Sequence, residues 1–186
     1  MTDKRYALDA WYATEKLLNI DSPTGFCNKA AAWVKNAFES LGFDAEITQK
    51  GGVIIDLGGT NSENALLLEA HTDTLGAMVA EVKSNGRLRL SPLGGMSPNN
   101  GECENLRVYT REGKIIEGTL QLCNASIHVN GDYSTAARTW DSVEAVLDED
   151  VSSAEATKKL GVEAGDIVCF DPRAKLTASG YIKSRF

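Results

Sequence analysis

Ala65-Leu66-Leu67-Leu68-Glu69-Ala70-His71-Thr72-Asp73 is the part of the chain from which the rest is best read. The consecutive apolar residues at its start predict a short strand, Ala65 to Ala70, covered on both faces. His71 falls at the end of that strand. In open α/β sheets the strand ends are where ligands collect. An imidazole there can bind a divalent cation through one ring nitrogen, and an acid two residues on can support the coordination sphere. A histidine simply hydrogen-bonded at a strand end, with no metal role, is the competing reading. One ligand is not a metal site, so the other donors have to be sought elsewhere.

Upstream, Asp3 to Ile20 suits a helix, with Ala7, Ala10, Trp11, Thr14 and Leu18 at helical spacing. The turn signal Asp21-Ser22-Pro23-Thr24-Gly25 ends it. A second helix follows, carrying Cys27, Ala30, Ala31, Val34, Ala37, Phe38 and Leu41 on one face, with Gly42 as its C-cap. Strands are expected at Ala45 to Thr48 and Val53 to Leu57, so the leucine-rich segment would be the third strand of a helix-flanked sheet with His71 at its rim. The glycine-rich links Lys50-Gly51-Gly52 and Gly58-Gly59-Thr60-Asn61 suggest antiparallel neighbours.

Beyond Gly76 the texture changes to short β-like runs with turns between them. Strands are expected at Ala77 to Val82, Arg87 to Ser91, Leu106 to Thr110, Lys114 to Leu122, Ser126 to Val129, Val143 to Leu147 and Ile167 to Phe170. This pattern reads as a small β-barrel or sandwich. One short helix interrupts it, with Ser152-x-x-Glu155 as a capping box and Gly161 as its stop.

Composition narrows the function classes. An apolar fraction of 42% and a charged fraction of 24% are those of a soluble globular protein. A net charge of −7 argues against a nucleic-acid partner, which needs clustered Lys and Arg. The nearest approach to a cluster, Lys83, Arg87 and Arg89, reads as a solvated strand face. No apolar stretch approaches a membrane span, and no apolar signal core follows Met1-Thr2-Asp3-Lys4-Arg5-Tyr6. Cys27, Cys103, Cys123 and Cys169 include no CxxC pair, so reduced, buried thiols and a cytoplasmic location are expected. His128 in a strand reads as a surface or packed residue, Cys103 as a loop thiol, and Asp171-Pro172 as a turn at a domain junction. Gly94-Gly95 lacks the strand and helix context of a phosphate cradle.

A set of ordered markers resembles the N-terminal half of the TET or deblocking (glutamyl) aminopeptidase family. They are Ser22-Pro23-Thr24-Gly25, Glu69-Ala70-His71-Thr72-Asp73-Thr74-Leu75-Gly76, Gly161-Val162-Glu163-Ala164-Gly165-Asp166, Phe170-Asp171-Pro172-Arg173 and Ser179-Gly180-Tyr181-Ile182-Lys183-Ser184-Arg185-Phe186. The resemblance covers essentially the whole chain and implies a cytosolic binuclear metallo-aminopeptidase. It implies a mixed α/β/α metallopeptidase sheet, with an all-β, barrel-like dimerisation domain inserted after the strand that carries the first metal histidine. The expected divisions are residues 1–75 for the first part of the catalytic domain, 76–173 for the β-rich insertion, and 174–186 for the return to the catalytic domain, truncated.

By the same resemblance His71 ligates one of two divalent cations (Zn or Co), and Asp73 is the catalytic aspartate that fixes the ligand geometry. The family's bridging aspartate, its glutamate pair with the general base, a further acidic ligand and a second histidine all come after the point where this sequence stops. Peptide substrates and a homo-oligomer built through the β-rich segment are the implied partners. With one candidate ligand and no base, the expectation is weak or empty metal occupancy and no peptidase activity in this chain alone. The alternative is a non-catalytic oligomerisation or binding module built on the β-rich insertion.

Overall fold

The computed structural model describes residues 4–186, so Asp3, the first residue of the expected N-terminal helix, lies outside the described residues. The chain divides into two compact units: residues up to Thr74 together with Arg173–Ser184, and Leu75–Pro172 together with Arg185–Phe186.

In the first unit, α1 (Lys4–Leu18) packs on α2 (Asn28–Ser40). Trp11 of α1 and Ala30 and Ala31 of α2 are the buried apolar residues there. α2 ends where the spacing predicts, and Gly42 takes φ +89°, a conformation that costs a glycine nothing. β1 (Ala45–Ile47) pairs antiparallel with β2 (Val53–Ile55) beneath α2, and they form a two-stranded sheet of their own.

The third expected strand is not there. Residues 65–70 have no regular secondary structure, and Leu66, Leu67 and Leu68 are 85%, 81% and 74% exposed. Consecutive apolar residues point to opposite faces of a strand, so such a strand needs cover on both sides and a ladder partner. Among the described residues neither is supplied. His71 therefore sits in a segment without regular secondary structure rather than at a strand end, and that segment is tied down from Thr72 onward, Thr74 forming an isolated parallel bridge with Pro23.

The second unit is a closed antiparallel barrel. Its strands are β3 (Gly76–Val82), β4 (Leu88–Leu93), β5 (Asn105–Tyr109), β6 (Ile115–Leu122), β7 (Val143–Leu147) and β8 (Ile167–Phe170), in spatial order β3-β4-β7-β6-β5-β8. β8 ladders back onto β3, pairing Gly76 with Cys169 and Met78 with Ile167, so no open edge remains. Alternation along each strand fills the interior. Val79, Leu88, Leu90, Leu106, Val108, Leu120, Val143, Ala145, Val168 and Phe170 are all buried there. Gly118 lets β6 and β7 lie close, since a Cβ at that position would fall 2.5 Å from the Val146 carbonyl oxygen.

Several details differ from expectation. Ser126–Val129 forms turns, with Asn130 N–H donating to Ser126 O, and leaves Ile127 and Val129 exposed. Its alternation is too short to hold a strand without a ladder. Ser153, not Ser152, caps α4 (Ala154–Lys159), its hydroxyl accepting from Ala156 N–H; α3 (Pro98–Gly101) is a short turn of helix that the sequence did not announce. Lys83 and Arg87 are not a solvated face, because both donate to Glu144, a carboxylate 1% exposed in β7. Of the four cysteines, expected to be buried, Cys169 alone is.

After the barrel, β9 (Lys175–Leu176) and β10 (Ile182–Lys183) make a small hairpin in the first unit. The chain then reaches the barrel unit again. There Arg185 pairs with Glu104 at 2.8 Å, and the Phe186 ring lies 5.2 Å from that of Phe170.

Candidate functional site

Two segments nearly fifty residues apart are stitched together around the histidine. Thr74 N–H donates to Ser22 O at 2.9 Å, and the buried Ser22 hydroxyl donates to Thr72 O at 2.9 Å. The Thr24 hydroxyl donates to Asp73 Oδ2 at 2.6 Å. The turn Ser22-Pro23-Thr24-Gly25, which reverses at Gly25 with φ +87°, leads directly into α2. Cys27 closes it, its thiol donating to Ser22 O and Pro23 O. A cleft of about 390 Å³ beside this junction is lined by Thr24, Cys27, Lys50, Thr72 and Asp73.

The structure brings both sequence-nominated residues together. His71 Nδ1 lies 3.0 Å from Asp73 Oδ1 and 3.0 Å from Asp73 O. Both partners are oxygens that only accept, so Nδ1 carries the hydrogen and donates it. The neutral ring is thereby fixed with its lone pair on Nε2. The side chain is 85% exposed, so that lone pair faces open space. The Thr24 hydroxyl, chiefly, holds the Asp73 carboxyl below the ordinary aspartate value; burial opposes this and His71 assists it. An ionised Asp73 is the form that accepts from the imidazole.

These residues suit one corner of a metal site. A neutral imidazole whose Nδ1–H is held by a carboxylate and whose Nε2 is free is the usual state of a ligating histidine. The rest of a coordination sphere does not gather around it, since no group of three His, Cys, Asp or Glu side chains with metal-binding geometry occurs among the described residues. His128 lies in the turns after β6, and Cys103 is an exposed loop residue with φ 67°.

In the sequence Thr24 stands as part of a turn signal and a marker string, with no role of its own at the site. Its link to Asp73 spans 49 residues, and no periodicity reports a contact of that range. The signal available was the turn composition itself, a hydroxyl residue between proline and glycine ahead of a helix.

Residues 51–186 match the M42 glutamyl aminopeptidase family. The chain belongs to that family. Among its M42 relatives, the Bacillus subtilis protein named "Putative aminopeptidase YhfE" is 38% identical over 171 residues, 92% of this chain and 49% of the relative. The aminopeptidase APDkam598 of the archaeon Desulfurococcus kamchatkensis superposes with a TM-score of 0.78 at 22% identity, over 93% of this chain and 46% of that one. PhTET1-12s, solved as a dodecamer, superposes with a TM-score of 0.75 at 20% identity, over 92% and 48%. The mixed α/β fold with its closed barrel is thus that of the TET aminopeptidase structures. The chain spans about half the length of the relatives it matches. Among the described residues no helix is long and apolar enough to cross a membrane.

Proposed function

We propose that this M42 chain contributes one metal ligand, His71, and the residue that orients it, Asp73, to a binuclear metallo-aminopeptidase centre acting on peptide N-termini. The observation that carries this reading is the pair of bonds from His71 Nδ1 to Asp73, which leave Nε2 exposed as a donor. A divalent cation at such a centre, zinc or cobalt, polarises water and the scissile carbonyl. Asp73 keeps the ring in one tautomer by accepting the hydrogen bond that a ligating imidazole donates from its other nitrogen. Thr72 and Asp73 also line the neighbouring cleft.

The described residues supply a single imidazole donor, whereas a catalytic zinc takes three protein ligands and water. The polypeptide by itself is therefore expected to hold zinc or cobalt weakly and to leave aminoacyl-nitroanilides uncleaved. Loading the purified chain with either metal and following nitroaniline release tests this. Turnover at rates typical of enzymes would contradict it, and histidine ring shifts that never respond to either metal would remove His71 as a ligand.

Homo-oligomerisation through the barrel is the second part of the proposal. PhTET1-12s is a dodecamer with the same fold, and here the excursion after β6 exposes Ile127 and Val129 on a segment tied down by the Arg138–Glu102 ion pair at 2.8 Å. Light scattering should give a discrete oligomer; polydisperse aggregate or monomer would count against it. Four widely spaced cysteines with no CxxC pair fit a reducing, cytoplasmic setting.

A further inference from the structure

The His71 ring is 85% exposed, so packing does not fix its orientation. Among the described residues, its two bonds to Asp73 alone do so. Asp73 is itself 39% exposed at the side chain, and a carboxylate that free would rotate about its own bonds. What stops it is on the opposite oxygen. Thr24 donates to Oδ2 at 2.6 Å, while Oδ1 receives the imidazole. Thr24 in turn belongs to a rigid frame: Ser22 bonds to Thr72 and Thr74 on either side of Asp73, and the turn runs into α2. A relay thus runs from the helix entry through a hydroxyl and a carboxylate to the ring.

We propose that Thr24 is the positioning residue of this site, its hydroxyl locking the Asp73 carboxylate so that His71 is held as the Nδ1–H tautomer with Nε2 presented to a divalent cation. The proposal rests on the reading of His71 as a metal ligand for its purpose, but the tautomer is a property of the metal-free chain and can be measured without one. It also assigns a task to a marker string that otherwise has none.

The test uses ring nitrogen shifts of ¹⁵N-histidine-labelled full chain, without metal, read on the alkaline plateau of a pH series, where those shifts stop changing and report the tautomer. Wild type and Thr24→Ser should show the His71 ring mainly as Nδ1–H. Thr24→Val, which keeps the shape and removes the donor, should shift the ring toward the Nε2–H form. Thr24→Ala is a second removal that serves if the valine variant fails to fold, and intact amide signals of α2, β1 and β2 in each sample certify the comparison. Zinc titration followed at the same ring should then weaken by about 10–100-fold in the variants without a hydroxyl and recover in Thr24→Ser. An unchanged tautomer in folded Thr24→Val or Thr24→Ala overturns the proposal even if wild type binds zinc. A wild-type ring that never responds to zinc, with the tautomer still set by Thr24, instead removes the metal reading and leaves the positioning role standing.

Discussion

Leucine meets opposite fates in the two units. Leu88, Leu90, Leu106, Leu120 and Leu122 are at most 3% exposed inside the barrel, whereas Leu66, Leu67 and Leu68 are at least 74% exposed ahead of His71. Composition does not separate them; order does. In β4, β5 and β6 an apolar residue alternates with a polar or small one, so each strand has one inward face, and the ladder of β8 on β3 closes the sheet upon itself. The 65–68 run puts apolar groups on both faces and so depends on layers that alternation cannot supply. A barrel is specified by its own strands, while a doubly covered strand is specified by its neighbours. The imidazole of the site lies on the dependent side of that divide.

The sharpest way to break this comparison is to make one change in both places. Leu120→Ala should destabilise the barrel by about 2–5 kcal/mol, through lost burial and the cavity left behind. Leu67→Ala should fall within about 0.5 kcal/mol of wild type, as surface changes do. Urea unfolding followed by barrel fluorescence measures both. Next in size is Gly118→Ala, whose new methyl must push the Val146 carbonyl aside; about 1–3 kcal/mol is expected from overpacking.

Acid should act on the barrel through Glu144. Burial alone would raise its pKa, but the hydrogen bonds and charges of Lys83 and Arg87 outweigh burial and hold it below the ordinary glutamate value. A depressed folded pKa contributes stability that is complete above the unfolded value and disappears as pH falls through the folded one. Barrel stability should therefore decline as pH drops below about 4, and Glu144→Gln should flatten that decline. A smaller loss is expected at the helix cap: Ser153→Ala loses the bond from Ala156 N–H and should cost about 1 kcal/mol in thermal unfolding.

The barrel was legible because its signal is local. The run Ile115–Leu122 alternates over its whole length, and turns such as Ser84-Asn85-Gly86 and Arg111-Glu112-Gly113 mark the ends of neighbouring strands. Ser126–Val129 imitated that signal over too few residues, and what holds its excursion is long-range: Arg138 on Glu102, and Tyr133 and Trp140 against the core. Lys83 and Arg87 looked solvated because nothing in the turn that carries them names Glu144, 61 and 57 residues away. At the candidate site, two residues of spacing put His71 and Asp73 in view, but the hydroxyl that holds Asp73 comes from before α2. The strand expected at Ala65–Ala70 failed for the reason that separates the two units: its pattern states a need for cover without saying where the cover comes from.

Native-state amide hydrogen exchange tests that division most directly. Amides of β3 to β8 should exchange only through opening of the closed barrel, while those of residues 65–70 should exchange near unstructured rates under the same conditions. Protection across 65–70 equal to that of β6 would contradict the account.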